Sequence, residues 1–254
     1  ARALLEVRAR EGTTPEAATV LVRPGAGADA ATARGLPTVT DAAGLISARP
    51  DLVVECAGQG AVAAHVADCL RAGIDTVVAS VGALADAGLH EALLAAARGG
   101  GGRLILPAGA IGAVDLLSAL RPSGIERLTY AGRKPPAAWA GTPPAADTVD
   151  LGALASPVTL FEGDARAAAL AYPKNANVAA TLALAGPGFA ATEVRLVADP
   201  GIARNVHEIA VRAGAADFEI RIEGHPAPGN PRTSLATVHS LAREIANRSR
   251  EVAI

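Results

Sequence analysis

Apolar runs and helix-spaced apolar positions alternate through the first hundred residues. The run at residues 18–23 (ATVLVR) is short and continuous, and LVVE (52–55), TVVAS (76–80) and RLIL (103–106) repeat it. Between these runs, residues 61–72 and 89–98 carry apolar side chains at helical spacing, and residues 3–10 read as a further helix. Continuous apolar strands separated by helices predict a parallel sheet covered on both faces. The glycines at 99–102 lie between a helix and a strand and read as a turn.

Beyond Pro107 the pattern changes. A helix is expected over 111–121 and a strand over 126–131, followed by the Pro-rich loop KPPAAWAGTPPAAD. A strand near 158–161, helices over 165–171 and 175–185, and strands over 193–198, 206–212 and 218–223 come next. In the last strand Phe218, Ile220 and Ile222 alternate with Glu219, Arg221 and Glu223, the mark of a half-buried antiparallel strand. The final helix, 234–247, carries Leu235, Val238, Leu241, Ala242 and Ile245 at helical spacing. The expected fold class is α/β: a Rossmann-like doubly wound parallel sheet over residues 1–106, joined by the C-terminal helix at 233–254. An α+β domain with a mixed or antiparallel sheet occupies 107–232.

The chain of 254 residues carries 23 basic against 25 acidic side chains, so no electrostatic footprint for nucleic acid or an anionic membrane is present. No apolar stretch reaches the roughly 18 residues of a spanning helix. The opening ARALLEVRAR is too charged for a signal peptide. Cys56 and Cys69 form neither a CxxC nor a disulfide framework. A cytoplasmic globular protein is expected, with no nucleic acid and no membrane among its partners.

A nucleotide-binding half should open with a strand, a Gly-rich turn and a helix whose N-terminus holds the phosphates. Gly25, Gly27 and Ala30 give a GxGxxA spacing, which arises easily by chance in a chain rich in Gly and Ala. The alternative is that residues 3–10 are the helix that follows such a turn; the chain, which has no Met, would then start just after its first strand. His65, Asp68 and Cys69 share a helical face, but a lone trio of this kind is more often incidental, and no metal is expected.

Rare residue types cluster in the second half. Of the 23 basic residues only Lys134 and Lys174 are lysines, and they stand in YAGRKPPAAW and YPKNAN. Both tyrosines, the sole tryptophan and four of the five asparagines fall in these segments, in the run DPGIARNVH, or in NPRTS. Ammonium and guanidinium are not interchangeable at a tight site, which makes the two lysines worth attention.

Together SVGAL (80–84), PAGAIGAVD (107–115), YAGRKPPAAW, YPKNANVAATLALAG (172–186), the DP…NVH run and NPRTS strongly resemble the L-aspartate dehydrogenase family. The resemblance implies oxidation of L-aspartate with NAD or NADP to iminosuccinate, which becomes oxaloacetate and ammonia or feeds NAD biosynthesis. It also implies a homodimer whose second domain serves catalysis and dimerisation. His207 matches the family's catalytic histidine, a group able to move a proton near neutral pH; the plainer alternative is a buried structural histidine on a strand. Ala110 and Asn177 match positions that contact the dinucleotide, with Gly109 beside them; Gly109 in a turn and Asn177 at a helix start are the alternatives. Cys56, Ala57, Gly58 and Ser80 end parallel strands at the edge where such sheets bind ligands. For a dicarboxylate the first expectation is Lys174, then Lys134 or Arg133. Thr233 and Ser234 are expected to bond substrate and to cap the last helix. Two other readings compete: a dinucleotide-binding protein without activity, and a relative of the homoserine dehydrogenase or dihydrodipicolinate reductase type.

Overall fold

The computed structural model describes residues 19–23, 35–142, 149–228, 230–248 and 250–252. The expected helix at 3–10 and the GxGxxA spacing lie outside the described residues. Tertiary contacts divide the chain into two compact units. One comprises the described residues up to Ser80, with Ala87–Pro107 and those from Leu241 onward; the other comprises Val81–Asp86 and Ala108–Ser240.

In the first unit, β1 (Val20–Leu21) and β2 (Thr38–Val39) form a short parallel pair. Helix α1 (Ala42–Ser47) follows, capped by Asp41, whose carboxylate accepts from the Gly44 amide. Strands β3 (Leu52–Glu55), β4 (Asp75–Val78) and β5 (Leu104–Ile105) make a parallel sheet in that order. The helical stretch expected between β3 and β4 is present as α2 (Gln59–Ala61), a π-helical turn (Val62–Val66) and α3 (Ala67–Arg71). Helix α4 (Ala87–Gly100) absorbs two of the four glycines expected as a turn. A Cβ at Gly100 would stand 2.2 Å from the Leu70 carbonyl oxygen, so glycine lets α4 meet the backbone of the last turn of α3.

The second unit is built on a five-stranded mixed sheet. Its strands are β6 (Ile125–Lys134), β7 (Val158–Asp164), β8 (Thr192–Ala198), β9 (Asn205–Ala213) and β10 (Phe218–Gly224), in the order β10-β9-β6-β8-β7. Only β6 and β8 run parallel. The rise and fall of burial along β10 follows the expected alternation. Helices α5 (Val114–Leu120), α6 (Ala165–Ala171) and α7 (Asn177–Ala185) belong to this unit. Helix α5 starts three residues later than expected because Ala113 is left-handed, with φ 56°. Leu128, Tyr130, Val194, Leu196 and Ile209 fill the core on one sheet face.

The NPRTS segment departs from expectation. It forms strand β12 (Asn230–Ser234), paired with β11 (Pro226–Ala227), before helix α8 (Leu235–Ala246) begins. The helix-opening amide of Leu235 donates to the His225 carbonyl, while the Ser234 Oγ is buried without a hydrogen-bond partner among the described residues. Ser234 therefore does not cap the helix, because strand pairing has turned its side chain inward.

Candidate active site

Residues alternate across a strand, so Tyr130, Gly132 and Lys134 lie on one face of β6 and Arg133 on the other. Gly132 is the register partner of His207 on β9. The burial pattern of β9 turns His207, Ile209 and Val211 to the same face. The Tyr130 hydroxyl lies 2.9 Å from His207 Nδ1, and both side chains are buried. Lys134, only 8% exposed, donates from Nζ to Asn175 Oδ1 at 2.7 Å, and its ammonium sits 5.3 Å over the ring of Trp139. Trp139, wholly buried, is held by its indole N–H on the Val197 carbonyl.

The electrostatics of this face follow from its dryness. Burial, and then the nearby Lys134 charge, push His207 down to about 4. Burial pushes Lys134 down to about 8. Burial raises the Tyr130 phenol, which keeps its proton. At neutral pH the face thus holds a neutral imidazole, a neutral phenol and a charged ammonium.

The other expected residues fall in several places. Lys174 is exposed on the turn between α6 and α7. Arg133, on the opposite sheet face, is engaged with Asp199 at 2.6 Å. Asn177 opens α7, and its Oδ1 accepts from the Gly82 amide at 2.9 Å, leaving Nδ2 to donate. Gly109 has φ 67° and donates its amide to Ser240 Oγ, with Ala110 next to it and half-buried. Ser234 packs at the end of β10, where a Cβ on Gly224 would lie 3.3 Å from its Oγ. Thr233 immediately precedes it and is half-buried.

In the first unit, the Glu55 carboxylate organises the edge where β3 and β4 end. It accepts from the amides of Ala57 (2.7 Å) and Gly58 (2.8 Å), and from the amide (3.0 Å) and hydroxyl (3.1 Å) of Ser80. Three of the amides expected to face a ligand are therefore already bonded, and Cys56 beside them is exposed. Sequence reasoning passed over Glu55, Tyr130 and Asn175 as individual groups. An acidic residue closing an otherwise apolar buried strand was the available signal for the first. For the other two it was their place beside the two lysines.

Among the described residues no three His, Cys, Asp or Glu side chains converge as a metal site requires. A shallow cleft of about 900 Å³ lies on the opposite face of the five-stranded sheet, lined by residues that include Arg127, Glu193, Arg195, Glu208 and Arg221. Its charges are largely paired to one another, as in Arg127–Glu193 and Arg221–Glu208.

Known proteins match both units. Residues 115–248 fit the model of the aspartate dehydrogenase C-terminal domain, and residues 2–107 fit the NAD-binding domain of homoserine dehydrogenase. An L-aspartate dehydrogenase of Ralstonia nicotianae is 52% identical over 81% of this chain and 76% of its own length. One of Ruegeria pomeroyi is 50% identical over 90% and 82%. The chain belongs to the aspartate dehydrogenase family. The crystal structure of aspartate dehydrogenase from Thermotoga maritima aligns with a TM-score of 0.68 and 27% identity, over 81% of this chain and 78% of that one.

Membership makes the protein an oxidoreductase of this type, with NAD(P) as cofactor. Its residues fit a dinucleotide. At the β3 edge a Cβ on Gly58 or Gly60 would meet nothing within 4 Å, so the backbone there is open to a ligand. In the second unit Asn177 keeps a side-chain N–H free of the Gly82 contact for a carboxamide or ribose oxygen. No helix among the described residues is long and apolar enough to cross a membrane.

Proposed function

We propose that the protein oxidises L-aspartate with NAD or NADP to iminosuccinate, which water converts to oxaloacetate and ammonia. The observation that carries this reading is the buried contact of Tyr130 with His207 Nδ1 on the face that also holds Lys134. Bound NAD(P) supplies the hydride acceptor for the substrate's C–H carbon. The chain's own residues handle the proton. With Nδ1 engaged, Nε2 is the His207 atom that exchanges a proton with the substrate nitrogen or with attacking water. The Tyr130 hydroxyl serves both tautomers: it donates to Nδ1 when Nε2 carries the proton, and accepts from Nδ1–H when Nε2 acts as base. Burial leaves both groups neutral at rest, so His207 starts as a free base able to accept a proton.

In this reading Asn177 Nδ2 and the backbone around Gly109 and Ala110 are the cofactor contacts of the second unit, and Cys56, Ala57, Gly58 and Ser80 are those of the first. Ser234, buried with an unpaired hydroxyl, and its neighbour Thr233 supply hydrogen bonds to substrate. Leaving such a hydroxyl without a partner has a cost that a bound oxygen would offset. A second copy of the chain is assigned to the open face of the five-stranded sheet, whose interleaved Arg and Glu side chains suit a self-complementary partner. The compartment assigned is the cytoplasm.

The deciding experiment follows absorbance at the reduced-nicotinamide band, with NAD and NADP supplied separately and L-aspartate as substrate. Reduction dependent on L-aspartate is the expected result. Absence of reduction with either cofactor, from protein that binds it, would sink the reading and leave a dinucleotide-binding role.

A further inference from the structure

Lys134 is an unusual buried group. Its side chain is over nine-tenths buried, yet among the described residues its only hydrogen-bond partner is the neutral Asn175 Oδ1, and no carboxylate pairs with it. The Trp139 ring beneath it offers a cation–π contact but no counter-charge. Two of the three ammonium donors are thus unassigned, in a place too dry for water to solvate them cheaply. A buried cation without an anion is a cost to the fold, one that a ligand carrying the missing charge would offset. Lys174, by contrast, is exposed, where a charge is solvated and discriminates little between ligands. Arg133, the other nearby cation, already has its carboxylate in Asp199.

We propose that Lys134 is the cation of a carboxylate subsite: held by Asn175 on the face of His207, it takes one carboxylate of a short dicarboxylate and sets the preference for such substrates. The inference deepens the aspartate reading and rests on it. Lys134 stands two residues along β6 from Gly132, the register partner of His207, and on the same buried face, so a carboxylate bound there shares that face with the proton-transfer group. Asn175 fixes the ammonium from one side and keeps its own Nδ2 as a further donor. The specificity follows from charge: a substrate lacking the second carboxylate would leave the buried ammonium unpaired on binding.

The test is a titration with succinate, an unreactive dicarboxylate, in the presence of NAD, read by calorimetry and by emission of Trp139, the only tryptophan. The ammonium over the ring makes that emission a local reporter. The wild type is expected to bind succinate and to bind butyrate at least tenfold more weakly. Lys134→Met, which keeps the side-chain volume and removes the charge, is expected to weaken succinate about 100-fold and to abolish the succinate-induced rise in Tm. Its Tm without ligand is expected to equal or exceed that of the wild type, which separates loss of a site from loss of the fold. Lys134→Arg, which keeps charge but not the compact ammonium, is expected to lose about tenfold. Succinate binding by Lys134→Met within threefold of wild type would overturn the proposal. So would a loss seen with Lys174→Ala instead, or no binding by the wild type. Failure of the aspartate reading shows separately, as Lys134-dependent succinate binding without nicotinamide reduction.

Discussion

Gly132 stands directly across from His207 in the β6–β9 pairing, and the space its missing side chain leaves is taken by the ring end of Tyr130. A Cβ at Gly132 would lie 2.6 Å from the Tyr130 hydroxyl oxygen and 3.1 Å from the carbon that bears it. The tyrosine can therefore lean two residues along its own strand and reach the histidine of the next. Gly132→Ala is expected to push the hydroxyl off His207 Nδ1 and to destabilise the fold by about 1–3 kcal/mol, the usual result of overpacking a core. Tyr130→Phe removes the same hydrogen bond without the clash. Thermal unfolding should separate the two variants, while their pH–rate profiles should shift together; unchanged profiles in both would detach the hydroxyl from the proton transfer.

His207→Ala is expected to lower kcat by about 10²-fold or more, the ordinary consequence of removing an acid–base group, with the KM for cofactor little changed. Far-ultraviolet circular dichroism should remain that of the wild type. Wild-type turnover from this variant would return His207 to a structural role.

The depressed His207 has a consequence for stability. Its imidazole titrates near 4 in the fold and near 6.5 when free, so between these values the unfolded chain binds more protons. Stability is therefore fully present above pH 6.5 and declines as pH falls towards 4, by on the order of 3 kcal/mol. Chemical denaturation at pH 7, 5.5 and 4 should show that decline in the wild type and a shallower one in His207→Gln. Equal slopes would mean that other groups carry the acid sensitivity.

Glu55→Gln tests the clamp at the end of β3 and β4. The substitution keeps one acceptor oxygen but turns an amide NH₂ toward backbone donors that the carboxylate satisfies. A loss of about 1–3 kcal/mol in unfolding free energy is expected, as for unpairing buried donors. A several-fold rise in KM for NAD(P) with KM for aspartate unmoved is expected alongside it, measured by steady-state kinetics. Wild-type values for both would show that the two turns hold their shape without the carboxylate.

The strands and helices were legible where one period dominated. LVVE at 52–55 and the alternation at 218–223 came out as β3 and β10, because a strand's burial repeats every two residues whatever surrounds it. The family was legible as well, from segments that gather the scarce Lys, Asn, Tyr and Trp side chains. The turn expected at Gly99–Gly102 is there only at Gly101 and Gly102; that Gly99 and Gly100 continue α4 was not legible, because Gly100 answers to the backbone of Leu70 and Arg71 rather than to its own neighbours. Nor was the turning of Ser234 inward, which depends on the pairing of β12 with β11.

The apolar pattern by itself ended the strand at residue 131 and left Lys134 in the Pro-rich loop; the structure carries β6 on to Lys134, where alternation puts Tyr130, Gly132 and Lys134 on one face and Arg133 on the other. Which of the two lysines is buried, and that the tyrosine meets a histidine 77 residues away, only the tertiary structure decided. Alternation is a local property of the extended backbone. Register between strands, and the loss of water that depresses His207 and Lys134, belong to the packed sheet.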